Sequence, residues 1–159
     1  VHMEIVTEKL DVYELAQNCV DTLQVKADKM EVTIRLAGEP CILETSREMI
    51  NELLYNLCDN AIRYNKKGGR VLVLVGENEY KEKYIEVKDN GIGIPMEYQE
   101  RVFERFYRVD KSRSKETGGT GLGLAIVKHI IVQLHARLEM DSEEGKGTMM
   151  RIVFAKKEN

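Results

Sequence analysis

Lys83-Tyr84-Ile85-Glu86-Val87-Lys88-Asp89-Asn90-Gly91-Ile92-Gly93-Ile94-Pro95 alternates apolar and polar residues as far as Asp89 and then breaks into glycines. With a period of two, Ile85, Val87 and Asp89 share one face of the predicted strand, and Tyr84, Glu86 and Lys88 share the other. Asp89 thus closes a strand on its apolar side, where a carboxylate without a donor is costly. Two readings stay open. The donor is the exocyclic amine of a purine, with Gly91 and Gly93 letting a flat ring approach the backbone, or the carboxylate caps its own glycine turn.

Outward from this strand, Arg70 to Asn78 forms a second strand joined to it by a polar turn. Upstream, Ser46 to Tyr64 has helical spacing, with Ser46 as N-cap and Lys66-Lys67-Gly68-Gly69 as the stop. At about 100° per residue, Ile50, Leu53, Leu54, Leu57 and Ala61 form the core stripe, and Glu52, Asn56, Asn60 and Arg63 fall in an adjacent sector. Amide oxygens suit Mg²⁺ and an arginine suits a phosphate; a solvated polar face has the same spacing. Val12 to Met30 predicts another helix with Asp11 as N-cap, preceded by a short edge strand over Glu4 to Lys9 and followed by a strand over Val32 to Leu36. Downstream, a third helix spans about Gly121 to Leu134. Two strands follow, Arg137 to Asp141 and Thr148 to Ala155, meeting at Gly145-Lys146-Gly147. The expected fold is a two-layer α/β sandwich, about three helices on one face of a mixed, mostly antiparallel sheet.

The bulk properties agree. The 159 residues are 43% hydrophobic and 32% charged, enough for one domain with a core. Lys and Arg total 24 against 27 Asp and Glu, a net charge of −3, which argues against general nucleic-acid binding. Cys19, Cys41 and Cys58 lack CxxC spacing and read as reduced thiols, neither a disulfide framework nor a zinc site. The longest apolar run, Val71 to Val75, is far short of a membrane span. Val1-His2-Met3 reads as added residues, with one domain over residues 4–159.

From Asn90 to about Thr120 no regular pattern holds, apart from a short helical piece expected near Tyr98 to Phe103. Gly118-Gly119-Thr120-Gly121-Leu122-Gly123-Leu124-Ala125 opens the third helix, where free N–H groups and the helix dipole favour an anion. It is neither a Walker A loop nor a good Rossmann fingerprint. Between the glycine clusters, Val102 to Lys115 mixes apolar anchors with basic side chains, as suits a lid (about 95–120) closing over phosphates.

Taken in order, these segments resemble the ATP-binding catalytic domain of bacterial sensor histidine kinases, in the wider gyrase/Hsp90/histidine-kinase/MutL ATPase group, which implies a Bergerat-type ATP-binding fold. Glu52 to Tyr64 is similar to its N box, Asp89 to Ile94 to its G1 box, Phe103 to Arg108 to its F box, and Gly119 to Lys128 to its G2 box. The resemblance implies ATP and Mg²⁺ as cofactors, with Asn60 holding the metal and Asn56 supporting it. Arg63 and Tyr64 would contact phosphate and ribose. Asp89 would accept the adenine amine, helped by Thr148, with Gly91, Gly93 and Ile94 shaping the adenine floor. Gly119, Thr120, Gly121, Leu122, Gly123 and Leu124 would cradle the phosphates, and Arg108 would be the lid cation at the transferring phosphoryl group.

In ATP-hydrolysing relatives and in anti-sigma serine kinases a glutamate general base precedes the Mg²⁺ asparagine by one turn. Here that position is Asn56, which takes no proton from water or serine. A neutral histidine needs less help, so Asn56 favours a histidine acceptor. His2, His129 and His135 all lie outside the expected acceptor motif. The acceptor is therefore expected on a dimerisation and phosphoacceptor domain absent from this chain. The resemblance further implies a cytoplasmic domain, a homodimeric, inner-membrane parent, and a response regulator as partner. The alternative is a free-standing serine kinase of the anti-sigma type.

Overall fold

The computed structural model describes residues 5–103 and 123–156. In chain order they form β1 (Glu8–Asp11), α1 (Val12–Lys29), β2 (Thr33–Gly38), β3 (Ile42–Thr45), α2 (Arg47–Arg63), β4 (Arg70–Glu77) and β5 (Lys83–Asp89). A 3₁₀ turn (Met96–Tyr98), α3 (Gly123–Gln133), β6 (Arg137–Glu143) and β7 (Gly147–Phe154) follow. Five strands make one sheet in the order β2-β4-β5-β7-β6, with β2 and β4 parallel and the other neighbours antiparallel. α1 packs on β2 and β4, α2 on β4 and β5, and α3 on α2. This is the expected two-layer sandwich.

The caps sit where the sequence puts them. Asp11 Oδ1 accepts the Tyr13 N–H at 3.0 Å, and Ser46 Oγ accepts the Met49 N–H at 3.2 Å. Ile50, Leu53, Leu54, Leu57 and Ala61 are buried as expected, together with Cys58 and Ile62. Across the sheet, Val71, Val73 and Val75 of β4 join Ile85 and Val87 of β5 and Met150 and Ile152 of β7 in one apolar layer. Register carries that layer to the site: Ile85 lies opposite Ile152, Val87 opposite Met150, and Asp89 opposite Thr148.

On the other face Glu86 is buried and its register partner Arg151 neutralises it, Nη2 to Oε1 at 2.6 Å, while the guanidinium lies 4.8 Å from the Tyr84 ring centroid.

Two expectations need correction. The edge strand read over Glu4 to Lys9 lies at Glu8–Asp11 and pairs antiparallel with β3, which the sequence pattern did not show. Each strand has only four residues, and Leu10 finds Leu43 only through the fold. The helical piece expected near Tyr98 to Phe103 is instead a single 3₁₀ turn begun by Pro95, whose fixed φ suits that start.

Candidate nucleotide site

Asp89 ends the central strand on the helix-covered face, and the chain supplies two of its donors. The N–H groups of Gly91, at 2.9 Å, and Thr148, at 3.3 Å, both donate to Oδ1. No described residue donates to Oδ2. Burial raises the carboxyl most, and these two bonds pull it partway back, so it sits at about 6 instead of 3.8. The carboxylate does cap its own glycine turn, and it keeps an oxygen for a further donor.

The loop after Asp89 is held from both sides. The Ile92 N–H donates to the Tyr64 carbonyl at 3.1 Å, and the Gly145 N–H donates to the Ile92 carbonyl at 2.7 Å. A Cβ on Gly91 would come within 2.5 Å of the Tyr64 carbonyl oxygen. Gly93 has φ +68°, and its Cβ would sit 2.0 Å from the Glu143 carbonyl oxygen. Both glycines are therefore required by the chain itself, which lays the loop against the end of α2 and the β6–β7 turn.

Sequence reasoning missed the fastener beside them. Ser142 Oγ accepts the Ile94 N–H at 2.8 Å and lies 2.7 Å from Thr148 Oγ1, while Gln99 Nε2 donates to the carbonyls of Ile94 and Ser142, each at 3.0 Å. Asp89, Gly91, Gly93, Ile94 and Thr148 are thus brought together. No sequence periodicity links Gln99 or Ser142 to this group.

Along α2, Asn56 Nδ2 donates to the Glu52 carbonyl at 2.7 Å, and its Oδ1 lies 3.3 Å from where a Cβ on Gly123 would stand. The N-terminus of α3 therefore abuts Asn56, with Leu124 packed partly into the core. Asn60 is half-buried, and among the described residues none bonds its side-chain amide. Arg63 Nε pairs with Asp59 Oδ2 at 2.8 Å, and Asp59 Oδ1 pairs with Lys26 of α1. Asp59 and Lys26 were also missed; the i,i+4 spacing of Asp59 and Arg63 was the available signal. Tyr64 caps α2, its N–H donating to the Asn60 carbonyl at 3.1 Å.

Arg108, Gly119, Thr120, Gly121 and Leu122 lie outside the described residues. Among the described residues no group of three or more His, Cys, Asp or Glu side chains could hold a metal, and no helix is long and apolar enough to cross a membrane. A cation at this site would rest on the Asn60 amide oxygen, with other oxygens from phosphate and water. Mg²⁺ accepts that donor set.

Residues 45–158 match the family described as histidine kinase-, DNA gyrase B-, and HSP90-like ATPase. Sensor histidine kinase WalK of Bacillus subtilis is 42% identical over 134 residues, 84% of this chain and 22% of that protein. Signal transduction histidine-protein kinase ArlS of Staphylococcus haemolyticus is 35% identical over 147 residues, 92% of this chain and 32% of that protein. The chain thus spans about a fifth to a third of these relatives. Among solved structures, a mycobacterial sensor histidine kinase, MprB, superposes with a TM-score of 0.80 at 26% identity, over 94% of this chain and 97% of that one. With the motif order, the sandwich and the Asp89 site agreeing, the chain belongs to the ATP-binding family of histidine kinase-, DNA gyrase B-, and HSP90-like ATPases.

Proposed function

We propose that the chain is the catalytic part of a two-component sensor kinase, binding Mg²⁺-ATP and passing the γ-phosphoryl group to a histidine on a dimerisation and phosphoacceptor domain outside this chain. The observation that carries the reading is Asp89, with one oxygen held by its own backbone and the other turned to no described donor. The adenine amine completes it, while Thr148 and Ser142 hold the far wall. Asn60 offers its amide oxygen to the metal, and Asn56 steadies the start of α3, where Gly123 and the glycines before it present N–H groups to phosphate. Arg63, steadied by Asp59, faces the same charge, and Arg108 is the lid cation. Mg²⁺, when bound, neutralises phosphate charge as the phosphoryl group separates.

The choice of acceptor rests on Asn56. An amide accepts no proton, so water and serine stay poor nucleophiles here, whereas a neutral imidazole attacks unaided. The test is to incubate the chain with γ-labelled ATP and a related kinase's phosphoacceptor domain, then treat with acid. Acid-labile label on that domain, with slow hydrolysis by the chain alone and faster hydrolysis by Asn56→Glu, is expected. Acid-stable label would favour serine transfer, and rapid unaided hydrolysis would overturn the proposal. The response regulator, the homodimeric parent and its membrane attachment follow only from this reading.

A further inference from the structure

Lys26 of α1 stands 33 residues before Asp59 of α2, and only the packing of the two helices brings them together. Leu23 and Ala27 are buried on either side of Lys26 and fix the last turns of α1, so that Lys26 Nζ donates to Asp59 Oδ1. The other oxygen, Oδ2, pairs with Arg63 Nε at 2.8 Å. We propose that Lys26 is a positioning residue for the phosphate end of the site: by occupying Asp59 Oδ1, it limits Asp59 to the Nε edge of Arg63 and keeps that carboxylate off the terminal nitrogens, which meet phosphate. This rests on the reading of Arg63 as a phosphate contact.

The chemistry of the two cations explains the arrangement. A carboxylate with both oxygens available grips a guanidinium through two parallel N–H···O bonds. Arg63 follows Asp59 by four residues and lies only about 40° around α2 from it, so a released Oδ1 closes on the same guanidinium. That second bond takes a terminal N–H away from phosphate and turns the plane of the guanidinium toward Asp59. Lys26 prevents it with a compact ammonium, which satisfies Oδ1 and offsets the carboxylate charge without competing for phosphate geometry.

A purely structural ion pair behaves differently. Its loss would loosen α1 on α2 and weaken every ligand alike, whereas a positioning role separates ligands that carry phosphate from those that do not. Lys29 is an internal control for charge alone, since it sits in the same last turn of α1 and is exposed. Lys26 itself has a side chain 30% exposed, so its head can be removed without opening the core.

The test is calorimetric titration of the whole chain with Mg²⁺-ADP and, separately, with adenosine. Lys26→Met should lose ADP affinity about three- to tenfold, the scale of one charge-assisted contact, and keep adenosine affinity within about twofold. Lys26→Arg, which keeps a cation on Asp59, should restore ADP binding, and Lys29→Met should change neither ligand. In an Arg63→Met background, Lys26→Met should add nothing, because the residue it acts through is gone. Should Lys26→Met melt early, Lys26→Gln keeps the position polar and is read the same way. Equal losses for ADP and adenosine, or the same ADP loss with and without Arg63, would overturn the proposal and leave the phosphate role of Arg63 standing. Wild-type ADP affinity in Arg63→Met would remove that role, and this proposal with it.

Discussion

Asp89 and Thr148 face each other across β5 and β7, and the Thr148 N–H donates to Asp89 Oδ1 at 3.3 Å, beside the 2.9 Å bond from Gly91. One carboxylate oxygen is occupied by the fold, and no described residue donates to the other; the proposed function gives it to the adenine amine. Because burial holds this carboxyl at about 6, its charge changes within the range of ordinary binding experiments. A donor amine prefers the ionised form, so affinity for ADP should fall as pH drops through about 6. The control is Asp89→Asn, whose weaker binding should show only the nucleotide's own titration. Parallel pH profiles for both proteins would count against the assignment.

The same burial has a cost in the empty chain. A carboxyl at about 6 when folded and 3.8 when unfolded favours the folded state fully below about pH 4, and that contribution is lost as pH rises through about 6. At neutral pH the penalty is at most about 3 kcal/mol, from 1.36 kcal/mol per pKa unit. Asn keeps an acceptor for both N–H groups. Asp89→Asn should therefore bind nucleotide poorly yet resist urea better at pH 7, with the two proteins converging near pH 4. Equal midpoints at pH 7 would contradict this.

Gly93 and Gly123 should respond differently to one added methyl. At Gly93 the Cβ meets the Glu143 carbonyl at 2.0 Å and φ is +68°, so Gly93→Ala should lower stability by about 2 kcal/mol or more. At Gly123 the neighbour within 4 Å among the described residues is Asn56 Oδ1 at 3.3 Å, which a small side-chain shift relieves. Gly123→Ala should melt close to wild type and lose nucleotide affinity several-fold. Thermal melts and calorimetry on both variants check the contrast.

Asp59 holds two cations, Arg63 on its own helix and Lys26 on α1, and its side chain is only 12% exposed. Removing the charge leaves both without it, so Asp59→Asn should cost about 1–3 kcal/mol, below the cost for a fully buried pair because Lys26 is partly solvated. Affinity for ADP should fall more than affinity for adenosine, since the proposed function assigns Arg63 to the phosphates. Equal losses for both ligands would place the effect elsewhere.

Much of the scaffold was legible because local periodicity and burial agree. The α2 stripe and the alternating valines of β4 can be read in one pass, and so can Asp89 at its strand end. β3 was hidden because Ile42–Thr45 is four residues long and is defined by β1 across α1. At the site, Gly91 is a near neighbour of Asp89, whereas Thr148, Ser142 and Gln99 arrive through the β5–β7 register and the loop that closes on it. Lys26 meets Asp59 only through helix packing. The glycines of the first loop were read as room for a ring, yet their nearest obstacles are the chain's own carbonyls.

The most direct test is calorimetric titration of the chain with a non-hydrolysable ATP analogue, with and without Mg²⁺, for wild type and Asp89→Asn. The account predicts binding that Mg²⁺ strengthens and that Asp89→Asn reduces by at least tenfold, about 1.4 kcal/mol. Binding unchanged by the substitution, or no binding by a folded wild-type chain, would contradict it.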